Sequence, residues 1–115
     1  MTRTNPASSA HKKGVRREVQ RLERQNWNVR ADLPGDQYPE PEARGKHIPD
    51  IVATKQGHTR IVEVETGVDQ GGDQHRSFKL SAAQSGRNTI FYWMVVDRYG
   101  RPEEVFGNVP RDFQG

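Results

Sequence analysis

The chain of 115 residues contains no cysteine. This excludes disulfide bonds, thiolate nucleophiles and cysteine-based zinc sites, and it is typical of a reducing compartment, so we expect a cytoplasmic protein. Long apolar runs are also missing, since no stretch approaches the ~20 residues that a membrane-spanning helix needs. Only 31% of the residues are hydrophobic. The core must therefore be small, and because small domains are often marginally stable alone, we expect a homodimer.

Basic residues are unevenly distributed along a chain whose net charge is +3 and whose pI is about 9.5. In residues 11–30, Lys and Arg far outnumber Glu. A basic segment of this kind indicates a polyanionic partner such as a nucleic acid. It is equally compatible with an ordinary solvated helix face, and charge alone does not separate the two interpretations.

Periodicity divides the N-terminal part of the chain into a tail, a helix, a strand and a loop. Residues 1–10 are polar and have no apolar period, which predicts a disordered tail. An apolar stripe at spacings of three and four predicts a helix over residues 12–25. Residues 27–33 alternate between apolar and polar, as in a half-buried strand, and the proline-rich sequence that follows predicts a long loop.

Two β-branched runs, residues 48–54 and 60–66, are separated by a turn that contains Gly57, which predicts a β-hairpin. A second helix is predicted over residues 74–85. The apolar run at 89–96 predicts a strand that is covered on both faces.

The predicted order of elements is helix, three strands, helix and strand. Short links favour an antiparallel meander for the first three strands, and the strand–helix–strand unit over residues 60–96 favours a parallel crossover. We therefore predict an α/β fold in which a mixed sheet is flanked by helices. It forms a single domain over residues 11–106, with a C-terminal tail over residues 107–115.

Three carboxylates lie in or beside the apolar segments of the predicted hairpin. Glu63 and Glu65 are two residues apart on one strand and therefore share a face. Asp50 belongs to the partner strand, where the hairpin brings it beside Glu63. Like charges that oppose each other across a sheet repel, so these acids are either exposed to solvent or hold a cation between them.

The second alternative indicates a magnesium site. Mg²⁺ takes oxygen ligands and is typically held by one or two carboxylates together with water and substrate phosphate. Asp50 and Glu63 meet this description, with the main-chain carbonyl of Val64 as an additional oxygen ligand. An ion in such a site binds a phosphate and lowers the pKa of a bound water for in-line attack.

These residues resemble the motif of the PD-(D/E)XK nuclease superfamily. That motif has Pro-Asp on one strand, then an acid, any residue and a lysine on the next. Here IPDIVA supplies Pro49 and Asp50, and IVEVET supplies Glu63 as the second acid. The superfamily core is also helix, three strands, helix and strand, so the resemblance covers most of the chain. It implies a restriction-endonuclease-like core and a nuclease that depends on Mg²⁺ or Mn²⁺.

Two further residues match accessory catalytic positions of the superfamily. Many members use a glutamate on the first helix to assist metal binding, and Glu18 is at the matching position. Pairing of Glu18 with Arg17 or Arg21 on the helix surface is the alternative. Gln74 and Phe78 resemble the Q-x-x-x-Y element of the RecB-like exonuclease branch, in which the glutamine lies near the site.

The chain departs from the motif at residue 65, where the superfamily usually has a lysine that orients water and stabilises developing charge. Glu65 stands in that place. Some active restriction enzymes of the superfamily also carry an acid there, which implies that Glu65 helps to hold a second metal ion or positions water. A degenerate site that binds DNA without cutting it is the other interpretation. Lys46 and Lys79 are candidates for a relocated lysine.

The predicted elements do not favour a zinc site, because they place His11 in the N-terminal tail and His58 in the hairpin turn. The histidines therefore do not converge. His47 and His75 are candidates for phosphate contacts or proton donors, with a simple surface position as the alternative for both.

The resemblance implies a Mg²⁺-dependent endodeoxyribonuclease in which water attacks the phosphodiester directly. Among small members of the superfamily, the chain is most similar in style to archaeal-type Holliday junction resolvases, dimeric enzymes of DNA recombination and repair. A restriction- or repair-type nicking endonuclease and a catalytically inactive DNA-binding protein are the alternatives. Basic side chains and one histidine are expected to contact DNA phosphates: Lys12, Lys13, Arg16, Arg17, Lys46, His47 and Lys79.

Overall fold

The computed structural model describes residues 6–33, 35, 38–43, 48–67 and 88–111, with only the backbone for residues 6–8. Within these ranges, no helix has the length and apolar character needed to cross a membrane. The described elements are one helix and five strands: α1 (Pro6–Arg24), β1 (Asn28–Ala31), β2 (Ile51–Lys55), β3 (His58–Glu65), β4 (Thr89–Val96) and β5 (Pro102–Gly107).

The five strands form one mixed sheet in the order β1-β2-β3-β4-β5. β1, β2 and β3 pair antiparallel, β3 and β4 pair parallel, and β5 returns antiparallel along β4. The predicted α/β class, the antiparallel meander and the parallel pairing across residues 60–96 are therefore confirmed. The second helix, predicted over residues 74–85, lies outside the described residues.

The first helix is longer than its apolar stripe predicts. It begins at Pro6, so the predicted disordered tail is wrong for residues 6–10. Proline suits the first turn of a helix, where its missing N–H has no helical partner in any case. The alanines and serines that follow give no apolar period, yet alanine is the best helix former and Ala10 is buried. The additional turns carry His11 into the helix.

The apolar stripe of α1 packs on one face of the sheet, as predicted. Val15, Val19 and Leu22 are fully buried. Gly14 allows a close approach, since a Cβ added there would lie 2.8 Å from Cγ1 of Val64. The strands, and Leu33 just after β1, contribute the other buried members of this core: Val29, Ala31, Leu33, Ile51, Ala53, Val62, Val64, Tyr92, Met94 and Val96.

The opposite face of the sheet carries a smaller apolar cluster of Ile61 and Phe91, with Trp93 packed against it. Because side chains alternate along a strand, Glu63 and Glu65 leave β3 on the same side as Ile61. The predicted division of β3 into two faces is thus confirmed, since Val62 and Val64 belong to the core beneath α1.

Candidate active site

Asp50 and Glu63 meet near the start of β2 and the end of β3. Ile51 pairs with Val62, so the residue before β2 lies opposite Glu63 in the same antiparallel register. The Glu63 carboxyl lies near enough to Asp50 to lower the pKa of Asp50 through a side-chain hydrogen bond. The Val64 N–H donates to Oδ2 of Asp50 at 2.9 Å. The hairpin therefore brings two carboxyl groups together.

Little solvent reaches this pair. Glu63 is 2% exposed, and the side chain of Asp50 is 13% exposed. The Asp50 carbonyl accepts a hydrogen bond from the Asp32 N–H at 2.9 Å, which ties the main chain at Asp50 to the end of β1. Two carboxyl groups in contact need a proton or a cation between them, and burial strengthens that requirement.

His11 joins the site from α1. Its Nε2 lies 3.1 Å from Oδ2 of Asp50. The prediction that His11 belongs to a tail is therefore wrong. His11 lies four residues before Val15 and seven before Glu18, which is the spacing that continues a buried stripe along a helix. The same spacing, followed from Val15 back toward the N-terminus, is the sequence signal that places His11 on this face of the helix.

The charges of His11 and Asp50 stabilise each other. The hydrogen bond with Asp50 raises the pKa of His11 above 6.5, against the opposing effect of burial, and the charge of Glu65 raises it further. Burial alone would raise the pKa of Asp50. Hydrogen bonds with His11, Glu63 and the Val64 N–H outweigh burial and hold the pKa of Asp50 below 3.8. Mildly acidic conditions therefore favour ionised Asp50 beside protonated His11.

Glu65 is the last residue of β3 and is partly buried. It lies on the strand face of Glu63, and its negative charge acts on His11. Glu65 is thus close enough to the contact between His11 and Asp50 to influence it electrostatically.

Glu18 is buried and turns toward the sheet, as predicted, but its contacts are with Arg21 and Tyr92. Nε and Nη2 of Arg21 each donate to the Glu18 carboxylate at 2.7 Å, and the Tyr92 hydroxyl donates to Oε2 of Glu18. Burial, followed by the charge of Glu18, raises the pKa of Tyr92, so its hydroxyl remains a donor. The bond from Tyr92 links α1 to β4, and the two-pronged contact with Arg21 fixes the Glu18 carboxylate within α1.

The donor atoms at Asp50 fit a small oxygen-ligand site. Within the described ranges, no three His, Asp or Glu side chains converge as metal ligands, but Asp50 and Glu63 supply two carboxylates. The Val64 N–H points to Asp50, and the N–H and carbonyl of one strand residue point to the same side. Two carboxylates and a carbonyl match the ligands of Mg²⁺, which also retains water and substrate phosphate.

Four of the predicted DNA contacts are exposed on α1: Lys12, Lys13, Arg16 and Arg17. Among these, Nε of Arg17 donates to the Tyr99 carbonyl at 3.2 Å. The other predicted DNA contacts, the candidate lysines and the glutamine motif lie outside the described residues: Lys46, His47, Gln74, His75, Phe78 and Lys79.

Comparison with known proteins does not assign the chain to a family. No protein-family model matches it, and no curated protein shows significant similarity to it. A functional assignment therefore has to come from Asp50, Glu63 and the groups around them.

Proposed function

We propose that this protein is a metal-dependent endodeoxyribonuclease that hydrolyses DNA phosphodiester bonds. The observation that carries this proposal is the contact between two acids, Asp50 and Glu63, beside the Val64 main chain. The α/β fold with its mixed sheet is compatible with the restriction-endonuclease-like core that the Pro49-Asp50 and Glu63 motif implies.

Asp50, Glu63 and the Val64 carbonyl would hold Mg²⁺ or Mn²⁺. The chemistry that such an ion would supply when bound is polarisation of a phosphate oxygen and a lowered pKa of a water molecule. The contribution of the chain is to hold the oxygens in place before DNA arrives. The Val64 N–H orients Asp50 at 2.9 Å, and the register between Ile51 and Val62 fixes Glu63 opposite it.

His11 and Glu65 are the groups that adapt this site to the absence of the usual lysine. His11 brings a positive charge from α1 to within 3.1 Å of Asp50, and its raised pKa keeps that charge closer to neutral pH. A protonated imidazole there neutralises charge that develops on the phosphate, which is one task of the lysine in the superfamily. Glu65 then accepts a hydrogen bond from the attacking water and positions it.

The exposed basic side chains of α1 support DNA as the substrate. Lys12, Lys13, Arg16 and Arg17 are well placed to contact phosphates, which fix affinity and salt dependence without reading base sequence. Selectivity then comes from the shape of the DNA. A four-way junction cut by a homodimer is the substrate that the resemblance favours.

Cleavage assays test this proposal directly. The protein is incubated with four-way junction, flap, single-stranded and plain duplex DNA in Mg²⁺, Mn²⁺ or EDTA. We expect metal-dependent cleavage that Asp50→Asn and Glu63→Gln each reduce by at least about 100-fold. Glu104→Gln, at an exposed acid of β5, is the matched control and should cleave as the wild type does. Single nicks in plain duplex would identify the restriction- or repair-type alternative.

A DNA-binding protein that has lost catalysis is the second candidate. Glu65 in place of lysine favours it, and so does the hydrogen bond between His11 and Asp50, which uses a carboxylate oxygen that a metal ion needs. This candidate predicts DNA binding with no cleavage in either metal. That result, obtained with all four DNA structures, would contradict the enzyme.

A further inference from the structure

Asp97 organises the turn between β4 and β5, residues 97–101. Its Oδ1 accepts hydrogen bonds from the N–H of Tyr99 at 2.8 Å and from the N–H of Arg101 at 3.0 Å. The Asp97 N–H donates to the Arg101 carbonyl at 2.9 Å, and the Gly100 N–H donates to the Asp97 carbonyl at 2.9 Å. Four hydrogen bonds thus close a five-residue turn.

The turn is also fixed against α1. Gly100 has a φ of +79°, and a Cβ added there would lie 2.5 Å from the main-chain nitrogen of Gly14 and 2.6 Å from Cβ of Lys13. Glycine meets both the positive φ and the close approach. The hydrogen bond from Arg17 to the Tyr99 carbonyl adds a second link. The turn therefore presents its side chains from a backbone that is held in place.

Two arginines lie over the exposed ring of Tyr99, a residue that is 47% exposed, and a third, Arg17, contacts its carbonyl. Cζ of Arg98 lies 5.1 Å and Cζ of Arg101 lies 4.9 Å from the centre of the Tyr99 ring. Arg101 donates to Asp97 through Nε at 3.0 Å, and Arg17 also donates through Nε. An arginine held by Nε keeps its two terminal amino groups for another acceptor, and this planar fork matches a phosphate.

The turn lies at the same edge of the sheet as the candidate active site. β3 and β4 run parallel, with Glu65 beside Val95. Asp97, two residues after Val95, therefore lies just beyond the end of β3. Because β2 is antiparallel to β3, Asp50 lies at this edge as well.

The spacing of residues along α1 gives a measure of the offset between the turn and Asp50. His11 contacts Asp50, and Arg17 contacts Tyr99. The two helix residues are about 9 Å apart along the axis, at about 1.5 Å per residue. An offset of this size leaves the turn and Asp50 within reach of one DNA strand, which advances about 3.4 Å per nucleotide along the duplex axis.

We propose that Arg17, Arg98, Tyr99 and Arg101, together the Tyr99 clamp, bind phosphates of the same DNA strand that meets Asp50. The Tyr99 ring holds the two turn guanidinium groups through cation–π contacts. The clamp fixes the position of the strand relative to the carboxylates without reading its bases. The identity of the strand as substrate rests on the proposed nuclease function, whereas the phosphate contact depends only on the clamp.

Fluorescence anisotropy of a labelled DNA duplex in EDTA, over a series of salt concentrations, tests the clamp without cleavage. The double variant Arg98→Ala/Arg101→Ala removes two phosphate contacts, so the slope of log K against log[salt] should become shallower by about 1.8. We expect binding to weaken about tenfold at ~100 mM salt. Arg24→Ala/Arg111→Ala makes the same charge change at exposed arginines outside the turn and should retain the wild-type slope.

Lysine substitutions separate the effect of the positive charge on DNA binding from the effect of the planar guanidinium group. Arg98→Lys/Arg101→Lys should retain the salt slope but bind more weakly than the wild type, because lysine lacks the planar fork. Thermal denaturation of each variant verifies that it is folded. An unchanged slope in the alanine variant, or no DNA binding by the wild type at low salt, overturns the clamp. An unchanged slope with intact metal-dependent cleavage overturns the clamp alone, and a reduced slope without cleavage supports the clamp and contradicts the nuclease.

Discussion

Nε2 of His11 lies 3.1 Å from Oδ2 of Asp50, and this contact joins α1 to the start of β2 at the candidate active site. The same oxygen accepts the Val64 N–H at 2.9 Å. Two donors from two different elements therefore orient one carboxylate oxygen. His11, a helix residue outside the sequence motif, thus joins Asp50 and Glu63 at the candidate active site.

His11→Gln will reduce stability within a defined pH range. The pKa of His11 is raised from 6.5, so its contribution is fully present below pH 6.5 and is lost as the pH rises through the raised value. The pKa of Asp50 is lowered from 3.8, so its contribution is present above pH 3.8 and is lost as the pH falls through the lowered value. The loss should be greatest between these limits and below about 1 kcal/mol, because His11 is partly exposed and screened.

Urea denaturation of wild type and variant at about pH 5 and about pH 9 measures this difference. His58→Gln, at an exposed histidine of the β2–β3 hairpin, is the matched control and should show no such pH dependence. Equal losses for His11→Gln at the two pH values would contradict a charged contact with Asp50.

Glu63→Gln will remove stabilisation by Mg²⁺ without a loss of stability in EDTA. Glutamine has nearly the volume of glutamate, and its amide can donate a hydrogen bond to Asp50 in place of the one from the Glu63 carboxyl. A ligand that binds only the folded state stabilises it by about 2.7 kcal/mol at one hundred times its Kd. We therefore expect Mg²⁺ to raise the Tm of the wild type by several degrees and to leave the Tm of Glu63→Gln unchanged.

Thermal denaturation with Mg²⁺ and with EDTA measures both effects. Glu104→Gln should retain the wild-type response to Mg²⁺, because Glu104 is an exposed acid on β5. A response of Glu63→Gln equal to that of the wild type would exclude Glu63 as a ligand.

The two acids on β3 could be predicted because the periodicity of a strand is local. Alternation along residues 60–66 assigns Glu63 and Glu65 to one face. The apolar residues of the other face determine which face of the strand packs against the core. The short hairpin turn then sets the register of the two strands, which places Asp50, the residue before β2, opposite Glu63. β3 begins at His58, two residues before the predicted start, but this extension lies at the turn and leaves Asp50 in place.

For His11 the local signal is weaker, only its helical spacing to Val15 and Glu18, and Tyr92 has none. Residues 6–10 are proline, alanine and serine, so the start of α1 depends on helix propensity and on the packing of Ala10 rather than on an apolar period. The contact of Tyr92 with Glu18 joins residues that are far apart in the chain. Because β4 is apolar at nearly every position, its sequence does not show which side chain meets the helix.

Substitution of the acids around His11 will lower the pKa of His11 in a fixed order. The contact with Asp50 is the largest cause that raises this pKa, followed by the charges of Glu65 and Asp32. Asp50→Asn should therefore lower the pKa most, Glu65→Gln less, and Asp32→Asn least. Proton NMR titration of the imidazole signals measures the order, with His11→Gln to assign the His11 signal. A larger fall in Glu65→Gln than in Asp50→Asn would contradict the position of His11 described above.

Glu18→Gln will lower stability but will not change the cleavage rate of the folded protein. Glu18 is 3% exposed and is bound by Arg21 and Tyr92. Removal of its charge deprives the partly buried Arg21 of its carboxylate partner, a change that costs about 3 kcal/mol in such pairs. Tyr92→Phe removes the hydrogen bonds that the hydroxyl makes with Glu18 and Arg21, at a cost of about 1 kcal/mol each.

Urea denaturation measures the stability of Glu18→Gln, and Glu103→Gln, at an exposed acid of β5, is the control that should remain within about 0.5 kcal/mol of the wild type. Cleavage is compared at a temperature at which every variant is folded. The contacts of Glu18 predict that its effect appears in the free energy of unfolding, because both carboxylate oxygens accept from Arg21 and Oε2 also accepts from Tyr92 of β4. If Glu18→Gln keeps wild-type stability but loses cleavage about 100-fold, the structural role is wrong and Glu18 belongs with Asp50 as a metal ligand.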